Sequence, residues 1–193
     1  DATGKFLPLV CTLNAARILD AATRLLRVSH DELAELALSA TPGANGLTLL
    51  PYFEGERTPN RPNARGTLNG LTLNNSTRED IARAYVEGML CGLADAVFSL
   101  EKLGVNINRV LLIGGAAKNP AVAPIASAVF GRDVLLPPAG EYVANGAARQ
   151  AGWALTGELP EWKLAGLTEV TQKSTPEVFE RYKELSNKTE NWV

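Results

Sequence analysis

Apolar positions return along the chain with two different periods, and these divide it into helices and strands. Phe6 to Thr12 reads as a strand, and from Asn14 to Val28 the residues Ile18, Ala22, Leu25 and Leu26 recur at helical spacing. Ser29 and Glu32 then stand at capping-box spacing, and Leu33, Leu36 and Ala37 continue an apolar face until Thr41-Pro42-Gly43 stops it. Leu47 to Tyr52 has the pattern of a buried strand. Residues 54–62 carry too much proline and charge for regular structure, so they are expected at a surface or in a cleft. Gly66 to Leu73 predicts a short strand. Ser76 and Glu79 predict another capping box, which opens the longest helix; it runs to about Leu103 and ends at Gly104. Gly88, Gly92 and Ala96 fall four apart on one face of that helix, where a neighbouring backbone can come close.

The remaining order is strand (Arg109 to Ile113), helix (Asn119 to Phe130), strand (Asp133 to Leu136), loop and helix (Val143 to Leu155). Strands separated by helices pair in parallel through right-handed crossovers, which places the chain in the α/β class. A polar stretch follows Gly157, and Thr175-Pro176-Glu177 then starts a last helix with Val178, Phe179, Tyr182 and Leu185 as a docking face. The expected organisation is one domain over residues 1–157 and an extension over 158–193 whose helix packs on it. The first residues, Asp1-Ala2-Thr3-Gly4-Lys5, include no initiating methionine and no signal-peptide pattern, so the start reads as cut from something longer.

The most informative corner is Val110 to Pro120, where an apolar strand runs into Gly114-Gly115 and then into Asn119-Pro120, a helix-start signal. Asn119 can cap the helix with its side chain, Pro120 suits the first turn, and the paired glycines have no Cβ to keep a ligand off the backbone. The corner lacks the spacing of a P-loop and of a dinucleotide fingerprint, which leaves a mononucleotide pocket or a tight packing turn. His30, the sole histidine, falls in the first turn of a helix between Ser29 and Asp31 and is expected to be a solvated surface residue. Glu54, Glu56, Arg57 and Arg61 could touch an anionic ligand or simply pair internally.

Charge and cysteine usage narrow the classes. Lys and Arg number 19 against 21 acids, with no basic block, so nucleic acid is not an expected partner. Cys11 and Cys91 lie far apart in apolar company and are expected as buried, reduced thiols, which suits a cytoplasmic location. No apolar run approaches the roughly 20 residues of a membrane helix, so the expectation is a soluble protein away from membranes.

Leu50-Pro51-Tyr52-Phe53-Glu54-Gly55-Glu56-Arg57-Thr58-Pro59, followed by Ala64-Arg65-Gly66 and Gly70-Leu71-Thr72, resembles the carboxy-terminal domain of the FGGY carbohydrate kinases. The family's second signature is matched by Gly66, Gly70-Leu71, Asp80-Ile81, Ala84 and Glu87, with Tyr85 bulkier than the usual residue, a packing variation. Its adenosine motif is matched by Leu112-Ile113-Gly114-Gly115-Ala116-Ala117, and the segment after it by Glu141 to Ala148. The Gly-Glu-Arg-Thr-Pro form is most like the members that phosphorylate xylulose.

The resemblance implies an actin/Hsp70-like (ribonuclease H-like) ATPase fold, of which this chain is the carboxy-terminal half. It further implies ATP with Mg²⁺, a small-molecule sugar as acceptor, and an amino-terminal kinase domain supplying the base, the phosphate motif and most sugar contacts. Catalytic residues are therefore expected outside this chain. By the same resemblance Gly114 and Gly115 form the adenosine motif, Gly115 and Asn119 touch the adenine and ribose side, and Gly66 lies beside the phosphates. Another FGGY substrate (gluconate, ribulose or glycerol) and a noncatalytic actin-like nucleotide-binding domain stay open, as does a homodimer.

Overall fold

A computed structural model describes residues 1–163 and 166–192; Leu164, Ala165 and Val193, all inside the span read as an extension, lie outside the described residues. Among the described residues the α-helices are α1 (Arg17–Leu26), α2 (His30–Ser39), α3 (Arg78–Lys102), α4 (Val122–Phe130), α5 (Tyr142–Thr156) and α6 (Pro176–Lys188), and all but α5 contribute to an apolar core. Short strands β1 (Thr48–Leu50) and β2 (Thr67–Asn69) pair antiparallel. The others, β3 (Val110–Leu111), β4 (Val134–Leu136) and β5 (Thr168–Val170), form a second sheet.

Local sequence explains the starts of α2 and α3. Ser29 accepts the amide of Glu32 while the Glu32 carboxylate takes the amide of Ser29, the reciprocal box expected from their spacing. Before α3 the expected Ser76–Glu79 box does not form, and a simple side-chain cap one residue later takes its place. Ser76 turns its hydroxyl back to the Thr72 carbonyl, so Thr77 becomes the cap, accepting the Asp80 amide at 3.1 Å and donating to Asp80 Oδ2 at 2.9 Å. Asp80 is buried, and Asn45 Nδ2 satisfies it from the other side.

α3 runs through the middle of the core, with Val86, Met89, Leu90 and Ala94 buried against Ile18, Leu33, Leu49 and Ile125. The small residues on α3 act unequally. A Cβ on Gly88 would stand 2.5 Å from the Leu49 carbonyl oxygen of β1, whereas one on Gly92 would meet only the Tyr182 hydroxyl at 3.6 Å. Gly88→Ala should therefore destabilise by about 1–3 kcal/mol, and Gly92→Ala by far less, in chemical denaturation. Equal effects would show that the backbone approach at Gly88 is not the constraint.

The sheets depart from the expected pattern in three ways. β3 and β4 are parallel as the alternation implies, but β5, inside the stretch read only as polar, adds antiparallel to β4. Polar residues tolerate strand pairing at a sheet edge, where one face meets water. Gly66 to Leu73 contracts to Thr67–Asn69, and Arg109 to Ile113 to two paired residues. Phe6 to Thr12 forms no strand: Phe6, Leu7 and Leu9 are exposed, because no partner backbone lies beside them among the described residues. Cys11 on that segment is accordingly exposed, contrary to expectation, while Cys91 is buried and desolvation pushes its thiol well up. Leu25 likewise faces out of α1.

α5 has no buried residue, with Val143 and Leu155 open to solvent. α6, by contrast, belongs to the core. Val178, Tyr182 and Leu185 are buried, Phe179 packs edge-on against Phe98 at 4.9 Å, and Lys183 pairs with Asp95 at 2.9 Å.

Candidate functional site

β3 delivers the chain to a corner whose geometry only glycine accommodates. Gly114 has φ 96° and ψ −178°, a region closed to residues with a side chain. A 3-10 turn over Gly115–Lys118 follows, and Asn119 leads through Pro120 and Ala121 into α4. Asn119 is 8% exposed; its Oδ1 accepts the Ala121 amide at 3.0 Å, and its Nδ2 donates to the His30 carbonyl at 3.0 Å. The side chain thus holds the entry to α4, as the sequence suggested, and also ties that entry to the start of α2, leaving one Nδ2 hydrogen free of these two bonds.

Two clefts open at this corner. One, of about 370 Å³, is lined by Ala16, Leu19 and Asp20 of the α1 region, His30 and Asp31 of α2, and Gly115, Ala116, Lys118 and Asn119. The other, of about 390 Å³, lies between Gly114, Gly115 and Lys118 and the loop from Pro137 to Tyr142. Gly115 and Lys118 border both. A Cβ on Gly115 would meet nothing within 4 Å, so the face it would occupy is open cleft. Small-molecule sites typically have volumes of about 300–1,000 Å³ and mix apolar walls with a few convergent polar groups, and both clefts fall in that class. A larger groove of about 660 Å³, bounded by Leu38, Pro42, Arg83, Ile125 and Thr175, includes none of the corner residues.

Gly115 and Asn119 thus line one cleft and Gly114 and Gly115 the other, and Gly66 is not among the residues lining either. It lies instead against the side chain of Phe53. His30 is exposed as expected, yet it stands at the rim of the 370 Å³ cleft with Nε2 3.2 Å from Asp20 Oδ1. Asp20, Ala16 and Leu19 also line that cleft without belonging to any sequence motif. Nothing local marks them, since the bond joining α2 to the corner links residues 89 apart.

The charged loop is largely satisfied by other segments of the chain. The Glu56 carboxylate is buried and accepts the amides of Leu13 (2.8 Å) and Arg57 (2.7 Å) and the Asn14 Nδ2 (3.0 Å). Arg61 donates to the Ser186 carbonyl at 2.6 Å and lies over the Tyr52 ring. Glu54 pairs with Arg17 at 2.6 Å on the surface, where such a bridge contributes little. Internal pairing thus takes up Glu54, Glu56 and Arg61. Tyr85, the departure from the family pattern, packs edge-on to Phe53 at 6.0 Å.

Residues 3–155 match the model of the FGGY family of carbohydrate kinases, C-terminal domain. A xylulose kinase of Haemophilus influenzae is 36% identical over 149 residues, which cover 77% of this chain and 30% of that protein. The crystal structure of a xylulose kinase from Bifidobacterium adolescentis superposes with a TM-score of 0.85 at 52% identity, covering 96% of this chain and 37% of that one. A gluconate kinase structure from Lactobacillus acidophilus is similar with a TM-score of 0.77 at 25% identity, covering 94% of this chain and 39% of the other. The chain spans about a third of the length of the curated relatives it matches.

Proposed function

The chain belongs to the FGGY family of carbohydrate kinases as its carboxy-terminal domain, and on that premise we propose that it forms the nucleotide side of an ATP-dependent kinase that phosphorylates D-xylulose. The observation that carries this reading is the glycine corner opening on a cleft framed by Asn119. Gly114 permits the turn, Gly115 leaves backbone bare toward the ligand, and Asn119 lines the cleft beside it. In this reading the adenosine lies along Gly115 and Asn119, Gly66 belongs to the phosphate side, and residues 1–157 with the extension 158–193 form one half of the enzyme. A family match ending at residue 155 and the cap of α5 at Gly157 support that boundary.

The reaction would be in-line attack of a sugar hydroxyl on the γ-phosphorus, with rate coming from positioning and charge stabilisation. What this chain's residues do is bind and orient the nucleotide. Mg²⁺ would neutralise phosphate charge. The general base, the phosphate motif and most sugar contacts are assigned to the amino-terminal domain. The exposed Phe6 to Leu9 segment and the uncovered α5 give that remainder of the protein apolar surface to pack on.

A coupled assay of the complete protein tests the substrate, with xylulose, gluconate, ribulose and glycerol compared by kcat/KM. Xylulose should lead by orders of magnitude if buried polar contacts read the hydroxyl pattern. A lead for gluconate, which the similarity to the gluconate kinase structure makes the second reading, would reassign the substrate within the same family. No turnover of any sugar despite nucleotide binding would favour a noncatalytic domain.

Asn119 offers a finer test, because its cap can be separated from its side-chain amide. Asn119→Ala should cost about 0.5–2 kcal/mol of stability through the lost cap. Asn119→Ser keeps an oxygen for the cap and loses the side-chain amide together with its bond to the His30 carbonyl, so stability should fall modestly and ADP affinity by more. Unchanged ADP affinity in the Ser variant, measured by calorimetry, would remove Asn119 from the site.

A further inference from the structure

Gly66 and Phe53 compete for one space. A Cβ on Gly66 would fall on Cδ1 and Cε1 of the Phe53 ring and 3.3 Å from its Cγ. The backbone of Gly66 is not in the left-handed region, so turn geometry does not demand glycine there; the ring does. Phe53 is fixed from other sides as well. Its amide donates to Asn14 Oδ1 at 3.1 Å, Asn14 is itself buried and bonded to the Gly55 carbonyl and Glu56, and the ring stands edge-on to Tyr85.

Despite these restraints the ring is 37% exposed, and it walls a pocket of about 190 Å³ with Asn14, Arg17, Asp20 and Arg24. Asp20 also lines the 370 Å³ cleft, so the two spaces adjoin at α1. A large apolar ring left partly in water forgoes part of the stabilisation its full burial would contribute. Its neighbours nevertheless hold it in one place.

We propose that Gly66 is a positioning residue: it seats the Phe53 ring, and its influence on the nucleotide passes through that ring rather than through contact of its own backbone with phosphate. This rests on the nucleotide-site reading given above. A methyl group at Gly66 pushes the ring outward, toward the pocket it walls. Truncating the ring removes the object being pushed.

A double-mutant cycle in the complete protein decides it, with Gly66→Ala, Phe53→Ala and the pair measured for ADP affinity by calorimetry, for KM and kcat toward ATP, and for unfolding midpoint. Gly66→Ala should weaken ADP binding about tenfold and raise KM for ATP with kcat little changed, whereas in the Phe53→Ala background it should change ADP affinity less than twofold. Effects that multiply, or a Gly66→Ala protein with parental ADP affinity, would overturn the proposal. If Gly66→Ala alone does not fold, a folded double variant that binds ADP like Phe53→Ala supports the seat, and a double variant that also fails to fold overturns it. A parent protein that binds ADP but phosphorylates no sugar sinks the kinase reading alone, since the affinity cycle still reports on Gly66; a parent that binds no ADP sinks both.

Discussion

Gly115→Val should lower the ADP affinity of the complete protein by about a hundredfold or more, equivalent to about 2.8 kcal/mol, while shifting its stability by less than about 1 kcal/mol. The dissociation of the two effects follows from where a side chain would go. No protein atom lies within 4 Å of a Cβ at this position, and Gly115 borders both clefts at the corner. Valine therefore meets no protein, and its branched Cβ, stiff about χ1, cannot turn away from the space a nucleotide would use. Its neighbour behaves oppositely. Any residue with a side chain at Gly114 pays for φ 96° in the fold itself. If Gly115→Val unfolds the protein, or binds ATP normally, Gly115 is a packing residue and the ligand lies elsewhere.

The largest effect on stability should come from Arg83→Ala, at about 3–5 kcal/mol, because it strands a buried carboxylate. Arg83 Nε donates to Glu87 Oε1 at 2.6 Å, with the two side chains 7% and 4% exposed, and the Gly43 amide donates to the same oxygen at 2.9 Å. Replacing both by methionine should recover most of the loss, since a buried pair exchanged for apolar residues of similar volume is often neutral. A double variant as unstable as Arg83→Ala would show that the pair is needed for more than mutual neutralisation.

The same carboxyl predicts a pH dependence. Desolvation holds Glu87 above the usual carboxylate range, with Arg83 and the Gly43 amide pulling the other way. A raised carboxyl binds its proton more tightly in the folded state. Its contribution to stability is then greatest below the unfolded value of about 4.3 and declines as pH rises through the higher folded value. The stability difference between the parent and Glu87→Gln should shrink accordingly over that window in urea titrations. A difference that grows with pH would mean that Arg83 outweighs the cost of burial.

What the sequence determined by itself is whatever depends on neighbours three or four residues away. The Ser29–Glu32 box, the apolar face of α2, the long α3 and its stop at Gly104, and the cap at Asn119 all rest on such spacing, and each lies at or within one or two residues of its expected place. The family motifs were legible too, because they are short and ordered. The glycine corner could be located from sequence; what surrounds it could not.

The tertiary structure decided what depends on distant partners. Glu56 reads as a loop charge and is a buried acceptor only because Leu13 and Asn14 arrive from more than 40 residues away. Phe6 to Thr12 has the pattern of a strand and forms none, since pattern gives a face and pairing requires another backbone. β5 shows the converse, a polar stretch made into a strand by the edge of β4. His30 and Asp20 reach the cleft, and Gly66 meets Phe53, through packing of elements that sequence spacing does not relate. Helical contacts are written in local order, whereas strands, buried charges and clefts exist only once remote segments have closed on one another.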